Sequence, residues 1–464
     1  MDICLCQQRT GNYHYPESKV KLVINMMIIT RLRFLLRNLS SYFLPGSIPV
    51  SPQLQSNFRN LYFDVGWFGV TTGSAISFLT IYAARLGAST TQVGLISAMP
   101  AIVILFLALP AGAWLERRPI DKSVFISAMG QRIFYLFIAL LPWFFGGQQQ
   151  IWILILFTLL MSIPGSVISI GFNVLFAAAV PMRYRGIVAA KRNGVSAIVT
   201  VVTSILCGKI LTILPFPIGY QVVFGIAFIG GLFSALHLWK VKPVVDRDEI
   251  VPVVPVVHSN ENENAIRGKS KTFFSGFLDR LNIDALKGPF GKSLLFLTIF
   301  HFVHFLSIPI FPVFYVKNIQ ITDQAISTGT AIFYMTMFLG SSQIGKMVQK
   351  LGNLKATGIG IILLGLYPSL LSFASDASLF YVASFFGGFA WSIVNVAMIN
   401  YLLEKVPSNQ RTGYLAWFSL AANGAILLGT MLGPVIGNMI GLATALLIFG
   451  ILRTLAGIAI LKWG

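Results

Sequence analysis

Acidic side chains are scarce in this chain. It has 15 Asp and Glu in 464 residues against 34 Lys and Arg, and the four types together make up only 11%. A soluble domain carries about 25% charged residues, so a soluble enzyme with one apolar patch is excluded. Cysteine is scarcer still. Cys4, Cys6 and Cys207 are too few and too scattered for a disulfide framework or a zinc site. The usual catalytic signatures are missing too: no Gly-x-x-x-x-Gly-Lys-Ser/Thr loop, no His-Glu-x-x-His and no Gly-x-Ser-x-Gly elbow. The expectation is a protein that is not an enzyme and holds no cofactor or metal.

What is present is apolar: 56% of the residues are hydrophobic. Runs of about 20 such residues can cross a hydrocarbon core of about 30 Å. Twelve are read, at 61–83, 91–113, 123–145, 151–174, 193–215, 219–240, 293–316, 326–346, 355–375, 378–402, 412–433 and 436–461. They show no alternation with period 2. Only helices or closed barrels satisfy the backbone in lipid, so the runs are helices and the chain is an all-α polytopic membrane protein.

The net charge of +19 is explained by where the cations fall. All Lys and Arg except Arg85, Arg132, Lys209, Lys317 and Arg453 lie in the N-terminal region, the even-numbered connections or the C-terminus. This asymmetry puts both termini in the cytoplasm of a cell membrane, with the lipid bilayer as a partner, and removes a nucleic-acid partner. Residues 1–58 form a basic tail. The apolar piece Val23–Ile29 is too short to span, and the tail either lies along an anionic membrane face or stays unstructured. Residues 241–290, with Val-Pro repeats and Asn260-Glu-Asn-Glu-Asn264, read as a polar cytoplasmic linker with a candidate amphipathic helix at Phe273–Leu286. The linker divides six spans in 59–240 from six in 291–464.

The two halves carry matching pieces. Pro181-x-x-x-Arg185 and Pro407-x-x-x-Arg411 are 226 residues apart, and Phe224-Gly-Ile226 and Phe449-Gly-Ile451 are 225 apart. A charged hairpin, Gly112-Ala-Trp-Leu-Glu-Arg-Arg118, has a partial copy at Gly345-Lys-Met-Val-Gln-Lys-Leu-Gly352. Repeated halves around a central cavity are the common build of secondary transporters.

Over about 59–464 the sequence resembles a twelve-helix member of the major facilitator superfamily, built as two pseudo-symmetric six-helix bundles. That family has a signature loop after helix 2, in outline Gly-x-Leu-Ala-Asp-Arg-x-Gly-Arg-Lys. Gly112, Glu116 and Arg117 fill its Gly, acidic and basic positions, while Trp114 replaces Leu and Pro119 stands at the second Gly. The copy keeps Gly345, Lys350 and Gly352, but Gln349 replaces the acid. The resemblance implies a cytoplasmic gate motif. In it Gly112, Glu116 and Arg117 latch the outward-open state, and Arg185, Gly345, Lys350 and Arg411 are further members. Ordinary cytoplasmic cations account for the same residues. The family's exporter motif, Gly-x-x-x-Gly-Pro-x-x-Gly, belongs in helix 5. Here it lies in span 11 as Gly429–Gly437, where small residues permit close packing, so import and export both stay open.

Ionisable groups inside spans are few, and each is a candidate. Asp64 is read in the first turn of span 1 and either carries a coupling proton or forms a rim ion pair. Arg132 falls near the middle of span 3, with a substrate or gating role in view. His301 and His304 share one face of span 7 and either relay a proton or pack. Arg453 is read near the inner end of span 12, where it snorkels. Asn173, Asn395, Asn400 and Asn423 line a cavity or glue helices, and Tyr62, Trp67, Phe68 and Tyr334 are candidate substrate contacts. The expected function is a monomeric secondary transporter moving a small-molecule organic substrate by alternating access. The family implies protons as the coupling ion; downhill transport is the other option. A receptor or lipid-handling protein on the same scaffold is the alternative. With no deep carboxylate in view, a neutral or anionic solute is favoured over a cation.

Overall fold

The computed structural model describes residues 51–244, 286, 288–407 and 411–464. Most of the tail 1–58, most of the linker 241–290 and nearly all of the candidate helix at 273–286 lie outside the described residues. No strand occurs among those described.

Twelve helices follow one another. α1 runs Pro52–Thr71, passes through a π turn at Thr72–Ile76 and continues as Ser77–Arg85. α2 is Thr90–Glu116, α3 Ile120–Phe144, α4 Gly147–Ala179, α5 Met182–Ile213 and α6 Ile218–Trp239. α7 is Pro289–Ser307, Ile310–Val313 and a second π turn at Phe314–Asn318. α8 and α9 form one 50-residue run, Asp323–Ser372, broken at Gly352. α10 is Ala377–Leu403, α11 Arg411–Ile440 and α12 Leu442–Trp463. Among the described residues, ten helical spans are long and apolar enough to cross a membrane by themselves, and α1 and α8 complete the twelve.

Local chemistry sets the breaks. Pro119 has no N–H to extend α2 and sits just before Ile120, the first residue of α3. Gly112, Trp114 and Glu116 therefore belong to α2 itself, and the connection shrinks to Arg117–Pro119. Gly352 adopts φ 77°, a region that favours glycine, so one residue suffices to turn α8 into α9. The π turn of α1 leaves carbonyls off the regular ladder, and hydroxyls answer them. Thr72 Oγ1 donates to Phe68 O at 3.0 Å, and Ser77 Oγ to Thr72 O at 2.8 Å.

Each half is knit by glycines, because in lipid close packing rather than hydrophobic exclusion joins helices. Where α1 meets α5 they lie on α1: a side-chain carbon at Gly73 would fall 2.6 Å from Thr200 O of α5, and one at Gly69 3.1 Å from Ser196 O. Where α7 meets α11 they lie on α11: a carbon at Gly429 would fall 2.6 Å from Phe302 O of α7, and Gly433 abuts Leu306 O. The Gly429–Gly437 motif is therefore a docking face for α7.

The halves meet at one end only. On α2, a carbon at Gly94 would lie 2.6 Å from Thr430 O of α11, whereas one at Gly112 has nothing within 4 Å. On α5, Gly208 abuts Ser327 of α8, whereas Gly186 of α5 and Gly345 of α8 face open space. Phe78, Tyr82 and Phe224 from the first half share one buried cluster with Phe314, Phe380 and Phe449 from the second. That cluster lies away from the α2–α3 connection. The bundle is closed on the face carrying Arg85 and Lys317 and open on the hairpin face.

Candidate functional site

A chain of hydrogen-bonded charged groups crosses the first half. Asp64 lies 12 residues into α1 and Arg132 the same number into α3, so both are about 18 Å from helix starts at the hairpin face. Asp64 is 3% exposed and Arg132 4%. Ser234 of α6 joins them: its Oγ donates to Asp64 Oδ1 at 2.6 Å and accepts from Arg132 Nη2 at 3.0 Å. Arg192 of α5 donates through Nη2 to Asp64 Oδ2 at 3.1 Å and through Nε to Leu61 O at 3.3 Å. Its guanidinium lies 4.3 Å from the Phe172 ring of α4 and 5.7 Å from Phe176. Arg132 sits 5.8 Å from the Phe68 ring, and its Nε and Nη1 have no hydrogen-bond partner. Four helices thus converge on one carboxylate and two guanidinium groups. A buried charge is costly unless it is paired or hydrogen-bonded, and these shared bonds couple the positions of α1, α3, α5 and α6.

The second half has a different junction. Arg453 is 1% exposed, in the middle of α12. It donates to His304 O at 2.9 Å, to Leu364 O at 3.2 Å and to Ser307 Oγ, holding α7 and α9 against α12. The reading of a snorkelling Arg453 is therefore corrected. Gly450 and Gly457 bring α12 so close to α9 that the guanidinium stays inside. His304 stacks on Trp391 at 5.3 Å, and its Nδ1 is buried without a partner. His301 Nδ1 donates to Leu297 O at 2.7 Å, a bond within its own helix. The two histidines share α7 without a metal-ligating third group, and no cluster of three His, Cys, Asp or Glu occurs among the described residues.

The motif residues surround the open end. Glu116 is half-buried, while Arg117 and Lys350 are exposed. Arg185 donates to Val180 O at 3.0 Å and Ala177 O at 2.8 Å, closing the end of α4. The Arg411 side chain lies outside the described residues. Asn173 and Asn395 are exposed, on α4 and α10, and Asn173 Nδ2 bonds Ser169 O at 2.9 Å.

Two further placements depart from the sequence reading. Asp64 is not in the first turn, because α1 begins at Pro52. Its early part is amphipathic, with Phe58, Leu61 and Val65 buried at helical spacing between polar residues, so no apolar run announces it. A deep carboxylate therefore exists, and the preference for neutral or anionic solutes loses that support. Arg192 was hidden because it falls just before the expected span 193–215, yet α5 starts at Met182 and carries Arg192 into the bundle. Ser234 has no signal of its own within an apolar run.

The Major Facilitator Superfamily model matches residues 65–280 and 293–464. The chain belongs to the major facilitator superfamily. Solved structures of this superfamily share its fold. A point mutant of the nucleoside transporter NupG is 15% identical with a TM-score of 0.59, over 87% of this chain and 98% of its own. A bacterial homologue of the iron transporter ferroportin in an inward-facing state is 12% identical with a TM-score of 0.64, over 88% and 98%. The xylose transporter XylE from E. coli, in a partially occluded inward open conformation, is 14% identical with a TM-score of 0.61, over 89% and 98%. No curated protein matches the sequence. At these identities the likeness is one of fold, and facilitator architecture accounts for the two six-helix halves and the single closed face.

Proposed function

We propose that this chain is a proton-coupled secondary transporter that carries a small organic solute by alternating access. The observation that carries this reading is Asp64, a buried carboxylate held by Arg192 and by Ser234 in a facilitator fold closed at one face only. Protonation of Asp64 removes the charge that holds Arg192. The link between α1 and α5 then weakens, and the first half is freed to re-pack as the halves rock about the site.

The hairpin face is assigned to the cytoplasm of a cell membrane on the excess of Lys and Arg there. The chain then stands open to the inside. In the opposite state the cytoplasmic gate is formed by Gly112, Glu116 and Arg117, with Arg185, Gly345, Lys350 and Arg411 drawn in from the neighbouring helix ends. Arg185 would leave the α4 carbonyls to join it. The unit of transport is one chain in a lipid bilayer, acting as a carrier rather than an enzyme.

The test is uptake into vesicles reconstituted with the full chain, under an imposed pH gradient. Asp64→Asn is expected to lose pH-driven accumulation and keep solute exchange. Undiminished accumulation by Asp64→Asn would place coupling elsewhere, with His301→Ala as the next variant. Specific binding without saturable flux of any solute would favour a receptor.

A further inference from the structure

Two guanidinium groups share a single carboxylate in the first half. We propose that the solute of this site is a small organic anion whose carboxylate replaces that of Asp64 on Arg192 when Asp64 is protonated. The proposal rests on the transporter reading above and names its substrate class.

Charge balance is the first argument. With Asp64 ionised, the cluster of Asp64, Arg132 and Arg192 carries one net positive charge. Protonating Asp64 alone leaves two guanidinium groups in the bundle without a compensating anion, and a buried uncompensated charge costs several kcal/mol. One arriving carboxylate restores the original net charge. A neutral solute does not compensate, and a cation makes the imbalance worse. Proton and anion therefore belong to the same step. An O–H bond forms on Asp64, its ion pair to Arg192 breaks, and the incoming carboxylate accepts the N–H donors that Asp64 gave up. No electron moves.

Placement is the second argument. Arg192 is the accessible member of the pair, its side chain 14% exposed against 4% for Asp64. The rings of Phe172 and Phe176 flank it and offer an apolar surface to the rest of the solute. Arg132 stands behind, through Ser234, with two donors unpartnered. The titratable neighbours add no anion. α1 supplies Tyr62, within electrostatic reach of Arg192, and α3 supplies Tyr135 beside Arg132. α6 supplies His237, within reach of Asp64 but bonded to Asn60 Oδ1 at 3.1 Å, and α4 presents Phe172 and Phe176. Arg453 in the other half is held only by neutral partners.

The test uses the purified full chain and thermal unfolding, with acetate and benzoate as probes and acetamide and benzamide as neutral matches. The carboxylates stabilise the wild type and the amides do not. The apparent Kd for benzoate weakens as pH rises, about tenfold per pH unit, because one proton accompanies each anion. In Asp64→Asn the affinity is independent of pH and at neutral pH at least about tenfold tighter than wild type. Adding Arg192→Gln to Asp64→Asn abolishes the response. Equal stabilisation by benzoate and benzamide, no response to either carboxylate, or a response that survives Arg192→Gln overturns the proposal. Should Asp64→Asn fail to fold, the pH slope of the wild type decides alone, and a flat slope overturns it. The two readings fail separately. Saturable vesicle flux of a neutral solute without a benzoate response removes the anion and leaves the transporter, whereas benzoate binding without flux of any solute does the reverse.

Discussion

Arg85 and Asp323 lie 2.9 Å apart and tie the two halves together at the closed face. Arg85 Nη2 also donates to Ile321 O at 2.6 Å, and Lys317 Nζ reaches Ala88 O at 3.1 Å in the other direction. Both side chains of the pair are half-buried, so removing one takes away the other's only charged partner in the pair. Asp323→Ala is expected to shift the equilibrium toward the opposite state by about 1–3 kcal/mol, roughly 5- to 150-fold in population. Cys207 is a free thiol buried beside this seam, and with Cys4 and Cys6 replaced by Ser its alkylation rate reads the shift. An unchanged rate would show that the pair does not hold the face shut.

Gly208 presses against Ser327 at the same seam. Gly208→Val wedges the two helices apart at a cost of about 1–3 kcal/mol. Faster Cys207 alkylation together with slower transport is expected. Gly186→Ala, on the same helix but facing open space, serves as the matched control and should change neither.

The hairpin copies differ in one position that matters for switching. Glu116 has an acidic charge where Gln349 has none. Glu116→Gln is expected to lower solute exchange about 3- to 10-fold by weakening the closed state of the open face, an effect of about 1 kcal/mol. Lys350→Gln should change it by less than about twofold. Distances between spin labels on the two halves at the hairpin face would report the same ranking.

Arg453 is a structural tie rather than a solvent-facing cation. Arg453→Ala leaves two carbonyls and the Ser307 hydroxyl without their donor and opens a gap beside α9. A loss of about 2–4 kcal/mol is expected. Thermal unfolding measures it, and a change under about 1 kcal/mol would mean water replaces the guanidinium.

The topology was legible because lipid demands long uninterrupted apolar runs, and eleven of the expected spans needed only their ends moved. The first helix was the exception in depth. Gln53, Gln55, Asn57, Arg59 and Asn60 interrupt its start, so its amphipathic turns look like tail, and Asp64 is misplaced toward the rim. The site suffered for a different reason. Asp64, Arg132, Arg192 and Ser234 are brought together from four helices, and no spacing along the chain encodes that meeting. Arg132 stood out because a charge in the middle of an apolar run has few explanations. Arg192 did not, because a cation just before an apolar run reads as part of a cytoplasmic connection.

The glycine faces have a consequence for how the duplication is seen. Two helices approach closely when either one gives up its side chains. Where α1 meets α5 that task falls to α1; where α7 meets α11 it falls to α11, which is the counterpart of α5. α1 and α7 each hold a π turn, Thr72–Ile76 inside α1 and Phe314–Asn318 at the end of α7, with no residue type in common. The geometry was inherited twice while its chemical authorship passed from one partner to the other. Comparing the halves letter by letter therefore finds kinship in the loops and helix ends, and misses it where the contacts are tightest.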